Sequence, residues 1–173
     1  MSSENQSIEK RNSSAVADSG AADEGVIQVV SFQLKNEEFA VPILKVQEII
    51  RSPEVTRVPK TPDFVEGIIN LRGRVVPLIS LRKRFGLEHI AIDHNTRVIV
   101  VELQGKVVGF SVDGVREVIR VQTSVIEPPP ALIGGIEKEF LSGVAKLEER
   151  LLILLDLDKV LSNNEVEQLQ EAA

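Results

Sequence analysis

Residues 64–85, FVEGIINLRGRVVPLISLRKRF, return 76 positions later as FLSGVAKLEERLLILLDLDKVL at residues 140–161. The two stretches share seven identities in 22 positions, where ordinary residue usage gives roughly two. Their apolar positions also coincide almost throughout. Self-similarity at a fixed offset is typical of a fold built from repeated structural units. The sequence therefore predicts two related units in tandem.

The repeat extends upstream, where residues 32–49 match residues 101–118 at an offset of 69. The coinciding pairs are Leu34/Leu103, Val46/Val115 and Glu48/Glu117. Because the offset changes from 69 to 76, the middle connection of the second unit is longer by the difference. That connection contains Pro128 to Pro130 and the pair Gly134-Gly135, which are typical of a loop.

Short apolar or alternating runs separated by polar turns predict four β-hairpins. The predicted strand pairs are residues 29–34 with 39–43, 67–71 with 74–79, 97–103 with 107–112, and 141–147 with 150–155. One or two helical turns are expected after the second hairpin of each unit, at Leu81–Phe85 and Asp156–Leu161. Short, regularly spaced strands rich in β-branched residues favour small barrels. We predict an all-β fold of two tandem five-stranded barrels, at about residues 28–87 and 95–161, with short helices.

The two ends of the chain have different compositions from the repeat. The first 24 residues are rich in Ser, Ala and acidic residues without apolar periodicity, so we expect a disordered tail. The folded domain is expected at residues 25–163 and a C-terminal helix at 164–173. Asn163 or Asn164 is a suitable cap for it, and Val166 and Leu169 share one face. We expect that face to pack on the second unit; contact with a partner is the alternative.

Composition argues against several classes of partner. A net charge of −6, with no Trp or Tyr, is unfavourable for binding phosphate backbones and stacking on bases, so we expect no nucleic-acid partner. No apolar run reaches the length of a membrane span, and no signal peptide is evident. The absence of Cys removes disulfides, thiolate metal sites and thiol catalysis, and is typical of a cytoplasmic protein.

Catalytic motifs are missing, so we predict no enzyme, no cofactor and no metal site. The two histidines, His89 and His94, are five residues apart in the link between the units, which does not fit the spacing of helical metal ligands. Asp156 and Asp158 fit a helix cap better than a cation site. Neither type of glycine-rich phosphate-binding loop occurs. Function is therefore expected in binding surfaces.

The sharpest difference between the two units lies in the turn of their second hairpins. Arg72-Gly73 in the first unit stands where the second has Glu148-Glu149. Gly73 permits φ > 0 in a tight turn, and Arg72 would then present its guanidinium to a partner's carboxylate or carbonyl. The alternative is an ordinary polar turn. The recurrence of Val46 and Glu48 favours a structural role in both bends, with Glu48 pairing with a basic neighbour such as Arg51.

Several stretches of the chain resemble the CheW family of chemotaxis coupling proteins. They are FVEGIINLRGRVVPLISLR (64–82), AVPILKVQEII (40–50), RVPKTP (57–62), VVGFSVDGVREV (107–118) and FLSGV (140–144). The resemblance runs from about Val26 to the C-terminus. It implies two five-stranded SH3-like barrels packed together. It also implies a non-enzymatic scaffold that links methyl-accepting chemoreceptor tips to the regulatory domain of the histidine kinase CheA.

The resemblance also implies roles for individual residues. Positions associated with receptor coupling are Val46, Glu48, Gly67 and Arg72, with Asn70 and Gly73 shaping the same hairpin. The edge segment Glu54, Val55, Thr56, Arg57, Val58 and Pro59 is expected to contact the kinase. A ring-closing contact on the second barrel is implied without assigned residues. The protein would lie in the cytoplasm and be recruited to membrane-associated receptor arrays.

Several alternative functions remain open from the sequence alone. CheA and CheV contain similar modules together with further domains for which this sequence shows no counterpart. A stand-alone coupling protein remains, in flagellar chemotaxis or in a parallel pathway that controls pili or gene expression. From other classes, a small-ligand-binding β-barrel and a structural subunit of an unrelated complex are the alternatives. The barrel alternative requires a lined cavity, which small Val/Ile/Leu-filled barrels usually lack.

Overall fold

Strands dominate residues 25–172, the part of the chain that the computed structural model describes. The predicted tail at residues 1–24 lies outside these residues. The strands are β1 (Val26–Leu34), β2 (Glu37–Pro42), β3 (Val46–Arg51), β4 (Val65–Leu71), β5 (Arg74–Ser80), β6 (Arg97–Leu103), β7 (Lys106–Val112), β8 (Gly114–Gln122), β9 (Ile126–Glu127), β10 (Leu132–Ile133), β11 (Ile136–Glu137), β12 (Leu141–Lys146) and β13 (Leu151–Leu155). The helices are α1 (Leu81–Arg84), α2 (Leu157–Val160) and α3 (Asn163–Ala172), and short 3₁₀ turns lie at Ile43–Lys45, Thr123–Val125 and Lys138–Phe140.

The strands form two main sheets that pack together, which confirms the predicted all-β class. One sheet has the order β3-β6-β7-β5-β4, and the other has the order β8-β1-β2-β13-β12-β9. We call them barrel 1 and barrel 2. β10 and β11 form a separate small hairpin within the longer connection of the second unit. Under the repeat, the five strands of barrel 1 correspond in the same order to the first five strands of barrel 2, so the two sheets are related by an approximate internal two-fold axis.

The sheets do not follow the two consecutive units expected from the repeat. The hairpin β1–β2 from the first half lies in barrel 2, between β8 and β13. Its repeat counterpart β6–β7 lies in barrel 1, between β3 and β5. Each inserted hairpin makes one parallel pairing, β2 with β13 in barrel 2 and β5 with β7 in barrel 1. Within residues 25–172, all other strand pairings in the two main sheets are antiparallel. Each barrel is therefore completed by a hairpin from the other half of the chain.

A buried glycine at the same repeat position lets each barrel close. In barrel 1, Thr56 and Ile68 exchange backbone hydrogen bonds of 2.9 and 2.8 Å across β4. A Cβ atom on Gly67 would lie 2.2 Å from the carbonyl oxygen of Thr56, and the φ of Gly67 is +148°. In barrel 2, a Cβ atom on Gly143 would lie 2.7 Å from a methyl group of Ile126. Both glycines are needed because another strand segment passes directly over them.

Three apolar clusters fill the molecule. One lies inside barrel 1 and includes Val98, Val100 and Leu78, and a second lies inside barrel 2 and includes Leu152 and Leu154. The third and largest lies between the barrels and receives side chains from both. The interiors of both barrels are thus occupied by side chains, which leaves the small-ligand barrel alternative without support.

Arg84 lies between the two halves, close to the internal two-fold axis. Its guanidinium carbon lies 4.8 Å from the ring centroid of Phe64 and 5.4 Å from that of Phe140, which are repeat counterparts. Its Nε donates to the carbonyl oxygen of Val160 at 2.7 Å, and its Nη2 lies 3.1 Å from Glu165 of α3. Arg84 therefore ties α3 to both halves through cation–π contacts and hydrogen bonds.

Helix α3 buries its predicted apolar face, but between the two barrels rather than on the second unit alone, and it is capped by a different residue. Val166 and Leu169 are buried in the cluster between the barrels. The side chain of Ser162 accepts a hydrogen bond from the backbone of Glu165, and Glu165 accepts one from the backbone of Ser162. This reciprocal capping box replaces the expected cap at Asn163 or Asn164. The short helix α2 begins as predicted, with Asp156 as its cap.

We expect Gly67→Ala to destabilise the protein by roughly 2–4 kcal/mol, because the new methyl group meets backbone atoms rather than a movable side chain. Gly25→Ala is the matched control, since a Cβ there meets nothing within 4 Å. Urea unfolding followed by far-ultraviolet circular dichroism measures both, as the chain has no Trp or Tyr for fluorescence. Equal midpoints for the two variants would show that barrel closure does not depend on Gly67.

Candidate protein-binding surface

Arg72 and Glu48 form an ion pair on the rim of barrel 1. The contact is bidentate, with Nη2 to Oε2 at 2.6 Å and Nη1 to Oε1 at 3.1 Å. The arginine side chain is 78% exposed and the glutamate 23%. β3 and β4, the edge strands of this sheet, are thus connected at the rim by a pair of opposite charges. The partner of Glu48 is therefore Arg72 and not Arg51, the neighbour considered from the sequence.

The turn that carries Arg72 has both central residues in the left-handed region. Arg72 has φ +53° and Gly73 has φ +83°, as in the type I′ turns that join two-residue hairpins. Asn70 supports the turn because its Oδ1 accepts the backbone N–H of Gly73 at 2.8 Å. A left-handed residue that has a Cβ costs about 1–2 kcal/mol, and Asn or Gly is normally preferred there. The arginine therefore occupies a position that local backbone energetics do not favour.

Three of the receptor-coupling candidates, Val46, Glu48 and Gly67, are less exposed than Arg72. Val46 is half-buried and packs against the cluster between the barrels. Gly67 is buried beneath Thr56, so it shapes this surface rather than touching a partner. A bulge between Val46 and Glu48 in the pairing of β3 with β6 turns the chain at this point. The structure thus brings Glu48, Asn70, Arg72 and Gly73 together on one rim.

Barrel 2 carries a charged cluster at the corresponding rim, which the sequence did not reveal. Glu117, the repeat counterpart of Glu48, accepts a 2.6 Å hydrogen bond from Nη2 of Arg150. Nε of Arg150 also lies 3.5 Å from Oε1 of Glu38, a buried carboxylate, and Nη1 of Arg116 lies 3.8 Å from the same oxygen. The hydrogen bond from Arg150 is the main cause that lowers the pKa of Glu117 and raises that of Arg150. The one sequence feature that pointed to this cluster is the recurrence of Glu48 as Glu117 in the repeat.

The segment Glu54–Pro59 crosses the closing edge of barrel 1. Val55 packs into the barrel 1 cluster, Thr56 pairs with Ile68, and Val58 accepts a hydrogen bond from the Thr61 hydroxyl at 3.0 Å. Glu54, Arg57 and Pro59 are exposed. The segment borders a surface groove of about 430 Å³, whose lining includes Val55, Arg57, Val58, Pro62, Lys83 and Ile92. The lining is mixed, with apolar side chains beside charged ones such as Arg57, Glu66 and Lys83, and a mixed surface of this kind is suited to contact with another protein.

The residues considered for chemistry take structural positions. His89 and His94 are exposed in the link between β5 and β6, and Asp156 accepts the backbone N–H of Asp158 at 3.1 Å. Within residues 25–172, no group of three or more His, Cys, Asp or Glu residues is placed to hold a metal ion. In the same range, no helix is long and apolar enough to cross a bilayer.

The fold defines a double-barrel β protein of the SH3-like type, and comparison with known proteins specifies its family. Residues 28–165 match the sequence profile of the CheW-like domain, and the chain belongs to the CheW-like family. It is 45% identical over 135 residues to the chemotaxis protein CheW of Klebsiella aerogenes, which covers 78% of this chain and 81% of that protein. It is 36% identical over 165 residues to CheW of Helicobacter pylori, which covers 95% of this chain and 99% of that protein.

A solved structure shows the same fold. The crystal structure of the scaffolding protein TtCheW from Thermoanaerobacter tengcongensis aligns with a TM-score of 0.74 at 37% sequence identity. The alignment covers 80% of this chain and 90% of that protein. The resemblance drawn from the sequence motifs is thereby confirmed.

We expect Arg150→Gln to raise the pKa of Glu117 towards its ordinary value, because Arg150 supplies the hydrogen bond that lowers it. Arg116→Gln is the matched control and should raise it less, since Arg116 acts only as a nearby charge. Because the folded pKa is lowered, the stabilisation from Glu117 is present above the ordinary glutamate pKa of about 4.3 and is lost as the pH falls through the folded value. Side-chain carboxyl NMR titration measures both variants. An unchanged Glu117 pKa in Arg150→Gln would contradict the assignment.

Proposed function

We propose that the chain is a non-enzymatic adaptor that couples chemoreceptor tips to the regulatory domain of the histidine kinase CheA in cytoplasmic signalling arrays. Membership of the CheW-like family supports the proposal. So do the names of the relatives, chemotaxis protein CheW and scaffolding protein. The same coupling would serve flagellar chemotaxis or a parallel chemosensory pathway controlling pili or gene expression. No nucleic acid and no membrane insertion is required by this function.

The observation that carries the proposal is the arginine at the tip of the β4–β5 hairpin. Arg72 is largely exposed and stands in a left-handed conformation that Asn or Gly would adopt at lower cost. Its bidentate bond to Glu48 connects the turn to β3 and leaves most of the arginine side chain accessible to a partner. Lys35 and Gln104, in the β1–β2 and β6–β7 turns, have the same left-handed conformation. What distinguishes Arg72 is its exposed guanidinium and the glutamate, Glu148, at its repeat counterpart. We therefore assign Arg72 to partner binding.

The receptor-coupling surface consists of side chains that contact the receptor and residues that position them. Arg72 and Glu48 supply charge-assisted hydrogen bonds. Val46 supplies apolar contact next to the cluster between the barrels. Asn70 and Gly73 fix the turn, and Gly67 acts indirectly by allowing Thr56 to close the barrel. The division rests on what each residue does in the structure: the Asn70 amide bonds the turn and Gly67 is buried, whereas the side chains of Arg72, Glu48 and Val46 keep accessible surface.

We assign kinase binding to the separate segment Glu54–Pro59 and the groove beside it. The exposed residues Glu54, Arg57 and Pro59 would contact the CheA regulatory domain, while Val55, Thr56 and Val58 hold the segment on the barrel. Because the segment closes barrel 1 over Gly67, and Arg72 follows along the same strand pair, the two surfaces share one rigid support. The adaptor therefore sets the geometry of receptor relative to kinase.

Coupling of this kind depends on linked weak contacts rather than on chemistry. Each interface of a small barrel buries on the order of 1,200–1,600 Å² or less. In an array, one bound contact raises the effective concentration for the next, so weak contacts give a stable lattice. A change in receptor conformation alters kinase activity only if its two states bind the adaptor with different free energies. Arg72 would supply one of the contacts whose binding free energy differs between the two receptor states.

Arg72→Ala should weaken binding of a receptor cytoplasmic fragment by about 1–3 kcal/mol, because it removes charge-assisted hydrogen bonds. It should leave binding of the CheA regulatory domain unchanged. Arg72→Asn should give the same loss in a turn at least as stable as the original, since Asn suits the left-handed position. Isothermal titration calorimetry with each partner measures binding, and thermal unfolding checks the fold.

Arg120→Ala, at an exposed arginine on β8 of barrel 2, is the control for general loss of positive charge. If both Arg72 variants bind the receptor fragment and activate the kinase normally at limiting concentration, Arg72 is not the coupling residue.

Arg57→Glu should show the opposite selectivity. Arg57 is exposed within Glu54–Pro59 and lines the groove there. Reversing its charge should weaken binding of the CheA regulatory domain by about tenfold and leave receptor binding unchanged. Arg120→Glu carries the same charge change on the other barrel and should leave both affinities unaltered. Equal kinase affinity for Arg57→Glu and the unmodified protein would remove this segment from the kinase interface.

A further inference from the structure

Leu44 is the most exposed large hydrophobic residue in the described part of the chain. Its fractional exposure is 97%, compared with 62% for the next, Leu132. It lies at the centre of the 3₁₀ turn Ile43–Lys45, between β2 and β3. No cluster of buried residues includes it. The leucine therefore contributes almost no buried area to this fold.

The turn that presents Leu44 is held in place on both sides. Pro42 precedes it with φ −59°, and the backbone N–H of Val46 donates to the carbonyl oxygen of Ile43. Ile43 packs against the cluster between the barrels, and the ammonium group of Lys45 lies 3.9 Å from Asp158 of α2. An ordered apolar side chain loses less conformational entropy on binding than one on a flexible loop. Leu44 is thus displayed on a fixed support.

The internal repeat shows that this leucine is not required by the fold. At the offset of 69, the position of Leu44 corresponds to Asp113. Asp113 accepts two hydrogen bonds from Arg82, at 2.7 and 2.6 Å, and one from the backbone of Lys35 at 2.8 Å. The second unit therefore uses this position for an internal polar network. The first unit uses it to expose an apolar side chain.

We propose that Leu44 is the apolar anchor of the receptor-coupling surface and inserts into an apolar pocket of the receptor tip. This inference rests on the proposed function. Leu44 precedes Val46 by two residues and Glu48 by four, so its Cα lies within about 14 Å of the Cα of Glu48. Binding surfaces commonly combine a central apolar anchor with polar contacts at the rim. Leu44 supplies the first, and Glu48 with Arg72 supplies the second.

The test compares full-length variants in binding to a receptor cytoplasmic fragment and, separately, to the CheA regulatory domain. Leu44→Ser should weaken receptor binding by about tenfold or more, because a buried leucine contributes strongly to association. Leu44→Met should bind within about threefold of the unmodified chain, since an apolar side chain of similar volume is kept. The matched control is Ile90→Ser, at an exposed apolar residue of the linker, which should bind both partners normally. Thermal unfolding should be unchanged for all three.

Four results would overturn the inference. Normal receptor binding by Leu44→Ser, when Arg72→Ala loses it, removes Leu44 and leaves the proposed function intact. Weakened kinase binding by Leu44→Ser with unchanged receptor binding places the residue on the other interface. Equal losses for Leu44→Ser and Leu44→Met rule out an apolar anchor. If the unmodified chain binds neither partner, the proposed function fails together with the inference.

Discussion

The structure depends on strands that are apolar on both faces. In β6, Val98 and Val100 point into barrel 1, while Ile99 and Val101 point into the cluster between the barrels. A strand of this kind cannot face water on either side without exposing a row of apolar side chains. The barrels must therefore be closed on one face of the sheet and packed together on the other. Surfaces for partners are left to rims, turns and edges.

Barrel closure and the proposed binding surfaces share the same residues. The segment after β3 crosses to β4 over Gly67, and its outward side forms the proposed kinase-binding segment. The other end of β4 leads into the turn that carries Arg72. A change at Gly67 would therefore disturb both surfaces through the backbone, without touching either partner. This indirect route explains how a buried glycine can belong to a coupling motif.

Much of the fold was predictable because it leaves a local record in the sequence. Both hairpin turns with Gly73 and Gly105, the strand runs around them and the stop of α1 before Gly86 follow from turn chemistry and alternation. The exchange of hairpins was not predictable, since a repeat fixes the order of elements but not which copy of an element becomes the neighbour. The cap of α3 was assigned to Asn163 or Asn164 when Ser162, one position earlier, forms the capping box.

The candidate site was predicted in the same uneven way. Arg72 stood out because the repeat places a different residue in its counterpart, and Glu48 because the repeat preserves it. Their direct contact joins β3 to the β4–β5 turn, 24 residues apart, and sequence spacing does not define such a contact. The buried Glu38 beside Arg150 and Arg116 could not be found either, because the pattern places it in a polar turn, where a carboxylate is expected to be exposed, whereas β2 already begins at Glu37. Leu44 shows the same limit: only three-dimensional exposure separates it from the apolar residues around it.

The exchange of hairpins gives this single chain the arrangement of a domain-swapped dimer. Each half of this chain contains a first hairpin, a bent strand and a second hairpin, but its first hairpin lies in the barrel of the other half. Two copies of such a half can complete each other's barrels by exchanging these hairpins across a two-fold axis, as in a domain-swapped homodimer. The present molecule has that arrangement, with residues 86–96 acting as the covalent bridge. The halves are not identical: Arg84 stands opposite Val160 in the repeat, and Leu44 opposite Asp113.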